Sequence, residues 1–233
     1  MFKFANMNFI YHRYPFEYFL ESTVRVGLQA IEIWAGDPHL YVGDITPQEV
    51  NSILKQIRKR DLKVVCFTPE QCMYPINLAA KDSKTRKRSI EYFKKSIQVS
   101  GALECSKMVV TPGYGFFDEP KEEVWKRAVE SIGELAVYAQ RAGVTLALEC
   151  FFYPYSNVLI DLDEHRRMIT GIGSAHVKAL VDIPIMVRTG NSLEQYAALF
   201  GDDIVHIHFT DGDGETTAHL AWGEGVLASA HFL

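Results

Sequence analysis

Seven short apolar runs alternate with helical segments along this chain, and that alternation restricts its fold more than any other feature. The runs are Phe2 to Phe9, Ala30 to Trp34, Leu62 to Phe67, Met108 to Val110, Val144 to Leu148, Val177 to Val181 and Ile204 to Phe209. Six helical stretches separate them. The first opens at Pro15 and Phe16 and ends near Gly27. The second runs from Pro47 to Arg60 behind Thr46 as its N-cap. The third spans Ser83 to Gly101, and the fourth runs from Pro120 to about Ala142, where Gly143 suits a C-cap. Asp161 or Asp163 caps the fifth, and Ser192 caps a sixth that reaches Phe200. Strands that alternate with helices pair in parallel through crossovers.

The expected fold is therefore α/β, a (β/α)8 TIM barrel that lacks its eighth strand and last helices. Residues 1–233 form a single, incomplete domain, since an eight-stranded barrel typically takes about 250 residues. The tail ASAHFL reads as the start of a further helix. A doubly wound open sheet is the rival, but no GxGxxG follows the first strand. The glycines of TPGYGFF, after the fourth strand, fit no phosphate loop.

Composition narrows the partners. With 48% hydrophobic residues the chain can bury one substantial core. A formal net charge of -5 gives no general attraction to phosphate backbones, so no nucleic-acid partner is expected. The basic stretch from Lys81 to Lys95 reads as the solvated face of a helix. Cysteines at 66, 72, 105 and 150 show no CxxC and no metal-ribbon spacing. Cys66, Cys105 and Cys150 read as buried thiols. No apolar stretch is long enough to span a bilayer and no secretory leader is evident, so the expected setting is the cytoplasm, without a membrane partner.

Three polar residues stand out at the ends of apolar strands. Glu149 closes VTLALE, Asp182 closes HVKALVD, and His208 lies in DDIVHIHF. A carboxylate in such a place is costly unless a metal or a hydrogen-bond partner offsets its lost hydration. The bland reading of each is a carboxylate paired with a basic residue that braces the barrel mouth. Strand ends of a parallel barrel converge on one face, and two carboxylates with one imidazole make a divalent-metal site. His206 points to the same face as His208 and reads as a packed histidine below the site. His176, at the start of its strand, belongs to the opposite face. Asn6, Asn8, His12, Glu32, Trp34, Glu70, Asn157 and Asp211 are further polar residues near the same face. Trp34, Phe67, Phe151, Phe152, Tyr153 and Trp222 are candidate apolar walls, or plain packing.

With those residues placed, the chain resembles the xylose-isomerase-like TIM-barrel family of sugar isomerases and epimerases. The resemblance runs through GLQAIEIWAGDPH, FTPEQCMYPIN, LALECFFYPYSNV, ALVDI and VHIHFTDGDG with WGEG. It is strongest toward the 3-epimerases of ketoses and of ketosamines of the fructoselysine kind, with the D-tagatose and D-psicose 3-epimerases as relatives. The resemblance implies a divalent cation, typically manganese, with cobalt, nickel, magnesium and zinc as alternatives. Glu149, Asp182 and His208 are its implied ligands, and Glu149 is the implied catalytic base in epimerisation at C3 through an enediolate. Trp34, Glu70, Tyr155 and Asn157 are the expected substrate contacts, and a homo-oligomer is a further expectation.

The departures are specific. A second metal-binding glutamate belongs to strand eight, and Glu224 in WGEG is not its equivalent. Tyr155 stands six residues beyond Glu149, where the family has another glutamate. Ile185 replaces a histidine found three residues after the aspartate in sugar 3-epimerases. Two other functions compete: a catalytically degenerate barrel that binds a sugar or a partner protein, and an endonuclease IV-like metal-dependent hydrolase. The second needs more strand-end histidines and basic loops than this sequence offers.

Overall fold

The computed structural model describes residues 3–71, 75–216 and 218–227, and the strand–helix alternation runs through them. The elements are β1 (Ala5–Met7), α1 (Phe16–Arg25), β2 (Ala30–Ala35), α2 (Pro47–Arg58), β3 (Lys63–Pro69), α3 (Ser83–Ala102), β4 (Lys107–Val110), α4 (Lys121–Ala142), β5 (Thr145–Glu149), α5 (Leu162–Ile172), β6 (Val177–Asp182), α6 (Ile183–Arg188), α7 (Leu193–Phe200) and β7 (Ile204–His208). All seven strands pair in parallel, each with its neighbour in sequence. Among the described residues β1 and β7 each have one paired edge, so the sheet is an incomplete (β/α)8 barrel. Residues 228–233, read above as the start of a helix, lie outside the described residues, as does Cys72.

The capping chemistry fixes the helix starts. Thr46 and Glu49 exchange hydrogen bonds in a capping box ahead of α2, and Ser192 and Gln195 do the same ahead of α7. Asp161, not Asp163, caps α5 by accepting from the backbone N–H of Glu164 at 2.8 Å. Gly143 ends α4 in the left-handed conformation, with φ 67°.

Two elements differ from expectation. The first strand stops at Met7, and Asn8–Tyr11 forms a 3-10 turn. Asn8 is fully buried and clamps the backbone of Trp34: its Oδ1 accepts from the Trp34 N–H at 2.6 Å and its Nδ2 donates to the Trp34 carbonyl at 2.9 Å. That clamp turns the chain before the strand can run to Phe9. The short helix α6 was not expected at all. Asp182 accepts from the Ile185 N–H at 2.9 Å, and Pro184 sits in the first turn where a missing N–H costs nothing. Asp182 thus ends β6 and starts α6 in one residue.

Side chains alternate across each strand, and the core divides accordingly. Leu146 and Leu148 of β5, Met108 and Val110 of β4 and Ile31 and Ile33 of β2 face outward, into the large core shared with Phe93, Ile97, Ile132 and Leu135 of α3 and α4. Cys66, Val109, Ala147 and Leu180 fill the barrel interior. A smaller cluster of Ala179, Val181, Ile183, Met186, Tyr196 and Phe200 lies under β6, α6 and α7. The sheet is strongly curled. The Lys107 ammonium on β4 donates to the Val205 carbonyl on β7 at 2.8 Å.

Candidate metal centre

The inward residues one step beyond the apolar interior layer are charged. Glu149 follows Ala147 on β5, Asp182 follows Leu180 on β6, and His208 ends β7 directly opposite Asp182 in the ladder. One carboxylate oxygen from each acid and one imidazole nitrogen of His208 all lie within 4.8 Å of one another. His208 Nδ1 is 2.9 Å from Glu149 Oε1 and 3.3 Å from Asp182 Oδ2. The other nitrogen, Nε2, is 3.2 Å from Oε1 of Glu32 on β2. A single imidazole therefore sits among three buried carboxylates.

The electrostatics follow from that crowding. Burial pushes the Glu149 carboxyl above its ordinary range, against the pull of the neighbouring His208. Burial works in the same direction on Asp182, but hydrogen bonds from His208 and His219 outweigh it and hold the carboxyl below its usual value. Glu32 behaves likewise: burial opposes its charge, and His206 with His208 overcomes burial, leaving it well below the usual range. Burial also opposes a charged His208, yet Glu32 and Glu149 keep it well above the ordinary histidine value. The pocket collects positive charge. Two carboxylate oxygens and an imidazole nitrogen at this spacing fit a divalent cation by their donor chemistry.

Sequence reasoning named Glu149, Asp182 and His208, and the fold brings them together. Trp34 and Glu70 also meet: the indole N–H donates to Glu70 Oε2 at 2.9 Å, on the same inward side of β2 as Glu32. Half-burial raises the Glu70 carboxyl, opposed by that bond. Phe9 packs edge-on against Trp34, with ring centroids 5.1 Å apart. Tyr155 sits against Phe151 and Phe152 in the loop after β5 and is 43% exposed. Asn157 uses both ends of its amide on the backbone of Gly115 (2.9 and 3.3 Å), so it braces the loops after β4 and β5. His176 bonds the Val144 carbonyl at the opposite end of the barrel, in keeping with its position at the start of β6.

Three residues have roles that sequence reasoning missed. Glu32 was one of several polar residues near the face, yet it joins both β7 histidines, with His206 Nε2 2.7 Å from its Oε2. His219 reaches back from the loop after β7 to place Nε2 3.1 Å from Asp182 Oδ2. Asp211 faces that loop, where its carboxylate accepts from the N–H groups of Gly212, Gly223, Gly225 and Leu227. A Cβ on Gly225 would lie 2.4 Å from Asp211 Oδ1, so only glycine fits there. The ETTAH and WGEG spacing carried no period from which to read this.

The chain belongs to the xylose isomerase-like TIM barrel family, whose sequence model matches residues 20–233. A fructoselysine 3-epimerase of Shigella flexneri is 26% identical over 217 residues, covering 93% of this chain and 79% of that protein. Among solved structures, a D-psicose 3-epimerase determined in the presence of D-fructose superposes with a TM-score of 0.78 at 19% identity, over 90% of this chain and 73% of that one. The IOLI protein with a bound zinc atom superposes with a TM-score of 0.82 at 20% identity, over 99% and 83% of the two chains. The fold and the carboxylate–imidazole cluster are consistent with the metal-dependent sugar epimerases and isomerases of this family. No described helix is long and apolar enough to cross a membrane.

Proposed function

We propose that this protein binds a divalent cation through Glu149, Asp182 and His208 and catalyses proton transfer at C3 of a ketose or ketosamine, as in a 3-epimerase. The observation that carries the reading is the convergence of Glu149 Oε1 and Asp182 Oδ2 on Nδ1 of His208 at the C-terminal ends of three adjacent strands. Manganese is the proposed metal, with cobalt, nickel, magnesium and zinc as alternatives. A bound cation of this kind polarises substrate oxygens and lowers the cost of negative charge formed beside them.

The chain's own residues do the rest. Glu149 takes the C3 proton on one of its carboxylate oxygens. Its place at the end of β5, beside Asp182 and His208, puts that carboxylate where the reacting carbon would lie next to the cation. Asp182 is held in place by the first turn of α6, which occupies its Oδ1 and leaves Oδ2 toward the centre. Trp34, Glu70 and Tyr155 line the mouth and orient the sugar. Asn157 contributes by holding the loop that carries Tyr155. An epimerase returns the proton on the opposite face, and the family resemblance assigns that task to a carboxylate on an eighth strand; the described strands end at β7. A substrate of the fructoselysine kind is favoured by the relatives and by Ile185 at the position of the sugar 3-epimerase histidine.

Calorimetric titration of the purified protein with Mn2+ tests the reading. Wild-type protein is expected to bind one ion, and E149Q to lose at least 10-fold in affinity. With fructoselysine added, the C3 proton should exchange with deuterated solvent in the wild type only. Absence of Mn2+ binding by protein shown to be folded overturns the proposal.

A further inference from the structure

We infer that Glu32 is a positioning residue: its carboxylate accepts the Nε2–H of His208 and so presents Nδ1 of that ring to the cation. The inference rests on the metal-site reading above and extends it to a residue on the far side of the barrel. His208 has two ring nitrogens and the structure gives each a distinct set of neighbours. Nδ1 faces Glu149 and Asp182, and Nε2 faces Glu32 Oε1 at 3.2 Å. A histidine can ligate through one nitrogen only if the other carries the proton, and a carboxylate acceptor on that other nitrogen both fixes the tautomer and makes the ring a stronger ligand.

Glu32 is built to hold that position. It is 5% exposed, on the interior of β2. A bulge in β3 shifts the ladder just where Glu32 pairs with Cys66, and two residues further Thr68 donates its hydroxyl to Glu32 Oε1. His206 occupies Oε2 at 2.7 Å. A second bulge shifts the β6–β7 ladder between Ala179 and Leu180, and beyond it His206 and His208 share the interior face with Leu180 and Asp182. Each carboxylate oxygen of Glu32 is therefore held, Oε1 by Thr68 and His208 and Oε2 by His206, so the acid is fixed facing His208.

The rival explanation is that Glu32, His206 and His208 themselves form a second cation site, since ligating atoms of these three also lie within 4.8 Å of one another. His208 would then have to give both nitrogens to metal. A neutral imidazole offers one lone pair and carries its proton on the other nitrogen, which favours the positioning role for Glu32.

Two measurements decide it. The first is Mn2+ titration of E32Q beside wild type and E149Q. Glu32→Gln keeps the shape and removes the charge. It should weaken Mn2+ 10- to 100-fold while the stoichiometry stays at one. Unchanged affinity overturns the inference and leaves the metal-site reading intact. A wild-type stoichiometry of two that falls to one in E32Q overturns it in favour of a second site. No binding by the wild type overturns both readings. The second measurement needs no variant. In protein loaded with Zn2+, the ring proton of His208 should appear on Nε2 as a slowly exchanging NMR signal. A proton on Nδ1 instead, or none on Nε2, overturns the assignment.

Discussion

Strands β5 and β7 each supply one proposed ligand to the same interior, yet they are held in different ways. β5 has a hydrogen-bonded neighbour on both sides, and Leu146, Ala147, Leu148 and Glu149 are all buried. β7 is paired only with β6 among the described residues, and all five of its residues are partly exposed. The helices sharpen the contrast: α3 and α4 pack the outer faces of β4 and β5, whereas β6 and β7 rest on the small cluster around Tyr196 and Phe200. The buried side is therefore a scaffold and the edge side is the part whose geometry the polar contacts must hold. Glu32 pulling on both histidines of β7 is one such contact.

That contrast can be broken by substitution. Leu146→Ala, in the fully buried outer face of β5, should cost about 2–5 kcal/mol in chemical denaturation. Ile207→Ala on β7 should cost about 1–2 kcal/mol, because its side chain is only partly removed from water. Equal losses would mean that β7 is as firmly packed as β5.

The seam between the two regions should respond to pH. His165 on α5 is fully buried, with its ring against Tyr196 and Phe200 of the small cluster and its Nε2 donating to the Leu148 carbonyl of β5 at 2.9 Å. Burial lowers its pKa to about 4, against the hydrogen bond to Leu148, from an ordinary value of 6.5. The unfolded chain then binds more protons than the folded one between those values, so stability rises with pH across that window. The contribution is complete above pH 6.5 and is lost as pH falls toward 4, by about 3 kcal/mol. Denaturation midpoints measured from pH 7 to pH 4 should show this slope, and His165→Leu should flatten it. A slope unchanged by the substitution would assign the acid sensitivity elsewhere.

The smallest effect lies at the surface of the edge region. Lys178 of β6 and Asp203, just before β7, form an ion pair at 2.5 Å with side chains 27% and 43% exposed. Asp203→Asn should cost less than about 1 kcal/mol, and less still at high salt. A larger loss in thermal denaturation would show that β7 depends on this tie more than on its packing.

Much of this was legible in the sequence, for a physical reason. Glu149, Asp182 and His208 interrupt apolar strands at their ends, where an uncompensated charge is unfavourable, so a local reading could find them. The strand–helix alternation likewise needs only local periodicity. Glu32 could not be found that way, because its partners lie 174 and 176 residues away and only the curled sheet brings them within reach. The end of β1 was missed because Asn8 acts on Trp34, 26 residues on. α6 was missed because Asp182 was read as a strand end alone, although an aspartate two residues before a proline is also a helix-start signal.

The Asp211 clamp has a kinetic meaning. One carboxylate gathers backbone amides from Gly212 through Leu227, and Asp211 and Leu220 exchange two main-chain hydrogen bonds at 2.9 and 3.0 Å. The segment that carries His219 is thus closed at its base before any ligand arrives. Part of the loop's ordering entropy is thereby lost in folding, so an incoming ligand meets a rim already anchored at its base.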